Sequence, residues 1–126
     1  EAAAIRLSEL TIGIAPLVIA PALTRKIGKA ALADLTLTPE EWKSAYWAKE
    51  NGLFSRVFDT IKTMDKELFF FLEKLASYNP KALQAIRKVL WEGTDHWDTL
   101  LFERAEMSGK LALSSHTKAA LAKFKH

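Results

Sequence analysis

Cysteine is absent from this chain of 126 residues. Its absence excludes a disulfide scaffold, a thiol nucleophile and a thiolate metal site, and is compatible with a cytoplasmic location. Glycine is scarce, with five residues, and none forms a glycine-rich loop behind a strand, which argues against a phosphate cradle. The three histidines, His96, His116 and His126, have no partner at ligand spacing. Each reads as a surface residue, and no metal site is expected. Ser8, Ser44, Ser77 and Ser108 lack the strand–turn–helix context of a hydrolase nucleophile. Charge of one sign is also missing. A net charge of +3, with no arginine stripe and no aromatic–basic alternation, argues against nucleic acid as a partner. Nor is there a long apolar run: residues 10–23 are too short to cross a bilayer, contain Pro16 and Pro21, and lack the basic flank of a signal peptide. No membrane association is expected.

What is present is ordinary globular composition, 49% apolar and 26% charged, enough for one modest core. The first residue is Glu1, not Met, so a segment of a longer protein is expected. Residues 4–7 read as a short strand, with Gly13 and Pro16 turning the chain away. Helical pieces are expected at 17–26 and 27–34, parted near Gly28. Thr38-Pro39-Glu40-Glu41 has the form of a helix start, with a cap, a proline at the first position and a capping box. That helix should end at Gly52, where a left-handed turn needs no Cβ. Residues 53–58 read as a short strand or extended arm. From Thr60 onward the pattern is helical: Met64, Leu68, Phe71, Leu72 and Leu75 share one face. Asn79-Pro80 opens the next helix, with Leu83, Ile86 and Leu90 inward. Thr94 or Asp95 should cap a third, and Ser115 the last. The expected fold class is mainly α with one or two short strands. A composition shift near 58–63 divides a mixed part, 1–58, from an all-helical part, 59–126.

The helical part has more apolar surface than one face can hold. Phe69, Phe70 and Phe71 are consecutive, and neighbours on a helix point about 100° apart. Either α-helices of the same chain sandwich this one, or a subunit interface covers it. Trp42, Trp47, Trp91 and Trp97 read as core or interface anchors. A helical interaction module without catalysis is therefore one reading of the chain.

Glu9 points elsewhere. It lies in Ser8-Glu9-Leu10-Thr11-Ile12-Gly13-Ile14-Ala15-Pro16, a run otherwise suited to a core. An ionised carboxylate in such surroundings has to be paired, hydrogen-bonded or neutralised, and acids so placed cluster at reaction centres. The bland alternative puts Glu9 on an exposed strand end, since charges are seldom fully buried.

Taken in order, that run, Ser44-Ala45-Tyr46-Trp47-Ala48-Lys49-Glu50-Asn51-Gly52-Leu53-Phe54, Glu73-Lys74-Leu75-Ala76 and Asn79-Pro80-Lys81-Ala82-Leu83 resemble the second half of an enoyl-CoA hydratase/isomerase, the crotonase family. The resemblance implies the C-terminal part of the α/β crotonase (ClpP-like) fold, with 1–58 ending the catalytic core and 59–126 as a trimerisation-type helical region. By position Glu9 takes the role of one catalytic glutamate. Pro16, Leu17 and Val18 would border the acyl pocket. Phe124, Lys123 and Lys125 would approach coenzyme A. The implied reaction is addition of water to a 2-enoyl-CoA thioester, with double-bond isomerisation as the alternative. No separate cofactor is implied, and the expected assembly is a trimer or a pair of trimers.

Two departures stand out. Residues 17–23, Leu-Val-Ile-Ala-Pro-Ala-Leu, replace the family's glycine-rich Gly-Ala-Gly-Gly-Thr-Gln-Arg-Leu, which removes the basis for carrying over acyl-chain specificity. Ala119 and Ala120 stand where relatives have Glu-Gly. The altered loop and the tryptophan-rich helices look most like the methylglutaconyl-CoA hydratase branch. In the family both oxyanion-hole donors and the second hydratase glutamate belong to the first half, so the 126 residues alone are expected to be inactive.

Overall fold

The computed structural model of the chain describes residues 3–123. It is mainly helical, with two short strands. Strand β1 (Ala4–Ile5) pairs antiparallel with β2 (Lys43–Ser44), Ala4 facing Ser44 and Ile5 facing Lys43. A 3₁₀ turn, Glu9–Ile12, follows β1. Helix α1 (Ala20–Leu37) carries Pro21 in its first turn, where the missing N–H costs nothing. At Gly28 the backbone leaves helical geometry (φ 74°, ψ 168°), so α1 is two helical pieces across a kink, as the sequence pattern predicts.

The Thr38 segment behaves differently from its sequence signature. Thr38 does not open a helix; it closes α1, its N–H and its hydroxyl both donating to Asp34 O. The next helix, α2 (Ala45–Glu50), begins after β2, where Ser44 Oγ accepts the N–H of Trp47. Strand pairing of Lys43 with Ile5 holds residues 43–44 extended, which is incompatible with helix there. Lys43 also bridges Asp34 at 3.0 Å and Glu41 at 2.9 Å. Its hydrogen bonds to Glu41 and then Asp34 raise its pKa above the ordinary lysine value. The ammonium is thus fully charged at neutral pH, and its contribution is lost only as pH rises through that raised value. Helix α2 ends as anticipated: Gly52 is left-handed (φ 77°), and the N–H groups of Leu53 and Phe54 return to Ala48 O.

Beyond an irregular arm come α3 (Ile61–Ser77), capped by Thr60 Oγ1, and α4 (Pro80–Leu90), capped by Asn79 Oδ1. Helix α5 (Trp97–Ala112) starts from His96 with no side-chain cap, because the Thr94 hydroxyl is turned back to Trp91 O. Helix α6 (Ser115–Ala122) is capped by Ser114, one residue before the serine expected from the sequence.

Burial is concentrated in the first part. Leu23, Ala31 and Leu35 of α1 and Ala45 and Ala48 of α2 form the apolar core, with Leu35 only 1% exposed. Helices α3, α4 and α5 contain no buried residue. Phe69 and Phe70, as well as Ile86 and Leu90 of the supposed inward face, are more than half or about half exposed. Described residues of this chain therefore do not sandwich α3. Local pairs decorate these helices instead: Arg56 Cζ 5.8 Å above Phe71, Lys74 Nζ 4.9 Å above Phe70, and Trp91 edge-on to Trp97 at 6.2 Å.

The first and last parts of the chain meet most extensively where α6 packs on the 3₁₀ turn. Thr117 of α6 is fully buried, the one buried polar residue among those described. Gly13, which ends the turn, has φ 80°, and a Cβ built there would lie 2.8 Å from both His116 Cδ2 and Thr117 Oγ1.

Two stability predictions follow from this packing. Leu35→Ala should lower unfolding free energy by about 2–5 kcal/mol, while Leu37→Ala, on the exposed side of the same helix, should change it by less than about 0.5 kcal/mol. Comparable urea midpoints for the two variants would contradict the core assignment. Gly93 also has positive φ (78°) but open space around it, so Gly93→Ala should cost only about 1–2 kcal/mol from backbone strain. Gly13→Ala should cost clearly more, since it must also displace α6. Equal losses in urea unfolding would show that α6 yields freely.

Candidate functional site

Glu9 opens the 3₁₀ turn, which is tight because each early carbonyl is answered locally. The Thr11 hydroxyl and N–H both donate to Ser8 O, at 2.6 and 3.0 Å. Gly13 N–H donates to Leu10 O at 3.1 Å, and Ile14 N–H to Glu9 O at 3.1 Å. The left-handed Gly13 reverses the chain towards a buried Pro16. Glu9 is thereby drawn off the strand end and half-buried. Its Oε2 is buried and has no hydrogen-bond partner among the described residues. Leaving a buried acceptor unmet costs about 1–3 kcal/mol, and more for a charged group. Thr36 Oγ1, inside α1, is in the same condition, but a hydroxyl can rotate whereas a carboxylate accepts only.

The loop from Pro16 to α1 passes from buried Pro16 through half-buried Leu17 to exposed Val18 and Ile19. Val18 and Ile19 thus present aliphatic side chains to solvent. Lys123, at the C-terminal cap of α6, is exposed. Phe124 and Lys125 lie outside the described residues. The structure therefore brings the Glu9 turn and α6 together, while Lys123 sits at the far end of that same helix.

Two clefts in the molecule are not lined by Glu9. A cleft of about 580 Å³ runs along α3 between the arm and the helix, lined by Leu53, Phe54, Phe58, Met64, Leu68 and Phe71. A shallower one of about 350 Å³ gathers Arg25, His96 and Arg104 around Trp97. Arg25 Nη2 donates to Leu90 O, tying α1 to the end of α4. Among the described residues no group of three His, Asp or Glu side chains can hold a metal ion, and no helix is long and apolar enough to cross a membrane.

Sequence reasoning missed Thr117. A threonine three residues after a capping serine reads as an ordinary helix position, and nothing local announces its contact with Gly13, 104 residues away. Gly13 was legible as a turn, but not as the floor on which α6 rests.

No protein-family model and no curated protein matches the chain. Among solved structures it is similar to the crystal structure of an enoyl-CoA hydratase/isomerase from Pseudoalteromonas atlantica T6c, with a TM-score of 0.82 and 22% sequence identity. The superposition covers 97% of this chain and 49% of that one, so the chain spans about half the length of the structure it matches. At this identity the likeness is one of fold: these residues adopt the C-terminal part of the crotonase fold.

Proposed function

We propose that this chain supplies one catalytic carboxylate and the C-terminal helical part of an enoyl-CoA hydratase, which adds water across the double bond of a 2-enoyl-CoA thioester. The observation that carries this reading is Glu9 Oε2, a buried carboxylate oxygen with no partner among the described residues. A structural carboxylate would be expected to spend that oxygen on an arginine, a lysine or a backbone N–H. One left unmet, on a turn fixed on both sides, is placed to accept a hydrogen bond from water and to pass its proton. The crotonase-type fold makes the thioester the natural electrophile.

In this reading Glu9 holds the attacking water and exchanges protons with the substrate. The second carboxylate and the oxyanion-hole donors come from the part of the fold that these residues do not span. Removing one such donor typically costs about 10²–10³ in rate, so residues 1–126 alone should show no measurable turnover. Pro16, Leu17 and Val18 would border the acyl chain. Lys123 and Lys125 would attract the coenzyme A phosphates, and Phe124 would meet its adenine. Residues 1–58 would complete the catalytic core and 59–126 the oligomerisation region, in a cytoplasmic enzyme of acyl-chain or branched-chain amino acid breakdown.

Two measurements test the proposal. In the full-length protein, Glu9→Gln should preserve folding and lower turnover on crotonyl-CoA and methylglutaconyl-CoA by about a hundredfold or more, since general acid–base groups contribute about 10²–10⁴. Near-normal turnover with intact folding would make Glu9 structural. Formation of a shifted double bond in place of a hydroxyacyl product would move the assignment to isomerisation. The second measurement concerns assembly. The exposed apolar faces of α3 and α5, from Phe69 to Phe71 and around Phe102, should be covered by neighbouring subunits. Light scattering should give a multiple of three; a stable monomer at micromolar concentration would contradict the assembly.

A further inference from the structure

Thr117 stands where three backbone segments meet. Its hydroxyl oxygen lies 2.9 Å from Leu111 O, at the end of α5, and 3.1 Å from Gly13 O. Ser114 Oγ–H donates to it at 3.1 Å, while Ser114 Oγ itself accepts the Thr117 N–H at 3.2 Å. A hydroxyl has one proton, so Thr117 shares it between the two carbonyls while Ser114 supplies the bond it accepts. The network satisfies the Thr117 hydroxyl, which is fully buried.

Gly13 C=O and Ile14 N–H belong to the same peptide group. Thr117 holds the carbonyl side of that group, and the N–H side donates to Glu9 O at 3.1 Å. Two hydrogen bonds and one rigid peptide plane thus connect α6 to the backbone of the residue that carries the candidate carboxylate. Bonds in such a chain polarise and strengthen one another. Steric contact acts in the same direction, because Gly13 has no Cβ to keep His116 and Thr117 off the turn.

We propose that Thr117 is a positioning residue for Glu9, so that the C-terminal helix sets the place of the carboxylate although it supplies no reacting group. The inference rests on the reading of Glu9 given above. It extends that reading from a local turn to a contact spanning the chain. Catalytic geometry is demanding enough to make such a contact matter: a misplacement of about 1 Å can cost about 10²-fold in rate.

The test is a set of variants of the full-length protein, read by steady-state kinetics and by backbone amide exchange. Thr117→Val keeps the shape and removes the hydroxyl. It should lower kcat by about tenfold or more and raise KM by a clearly smaller factor, because Lys123 lies at the other end of α6 from the contact. The Ile14 amide should exchange faster. Thr117→Ser keeps the hydroxyl and loses the methyl, and should restore both properties. Unchanged kcat or unchanged Ile14 exchange in Thr117→Val would overturn the proposal, as would a Thr117→Ser variant as impaired as Thr117→Val. If Thr117→Val fails to fold, the wild-type protein still decides: Ile14 should be protected together with the amides of α6, and free exchange of Ile14 would overturn the relay. Glu9→Gln separates the two levels of inference. Loss of turnover there with full activity in Thr117→Val removes only the positioning role, whereas normal turnover in Glu9→Gln removes both.

Discussion

The hydroxyl of Thr117 against the carbonyl of Gly13 is a buried polar contact between the last helix of this chain and its first turn. Helices α3 and α4 lie between the two and bury nothing of their own. Elsewhere the two parts are linked by the Arg25 bond to the end of α4 and by the cleft that α1 shares with α5. The contact works because it is buried and fully satisfied, and because glycine lets two helical residues approach within van der Waals distance of the turn. A buried polar network of this kind fixes geometry where apolar packing would tolerate sliding.

Glu9 opens the turn on which that contact rests. The turn is short, 3₁₀ rather than α, and closed by a left-handed glycine, so its first residue is swung inward instead of continuing the line of β1. The backbone carbonyl of Glu9 is engaged and its side-chain oxygen Oε2 is not. A fixed backbone and an unmet carboxylate oxygen are the two properties that a proton-handling residue needs together.

Local signals in the sequence were reliable where backbone geometry forces them. Gly28 breaks α1, Gly52 ends α2, and Asn79-Pro80 opens α4, because positive φ and the missing proline N–H leave few alternatives. Where several polar residues compete for one cap, the outcome depends on tertiary pairing. Thr38 lost to Ser44 because β2 must first reach β1, and Ser115 lost to Ser114 by one residue. The candidate carboxylate was legible as a charge in the wrong company. Thr117 was not, since a contact across 104 residues has no local signature. The surplus of phenylalanine in α3 was visible in the sequence, and in the structure described residues of this chain leave those side chains exposed.

Glu9 Oε2, unmet by described residues, is proposed to be reserved for a ligand. A crystal structure of the full-length protein with an unreactive enoyl-CoA analogue tests it directly. Glu9 Oε2 is expected within about 3–3.5 Å of the analogue's β-carbon, or of a water poised on that carbon. An analogue bound elsewhere, with Glu9 Oε2 hydrogen-bonded to a protein donor, would contradict it.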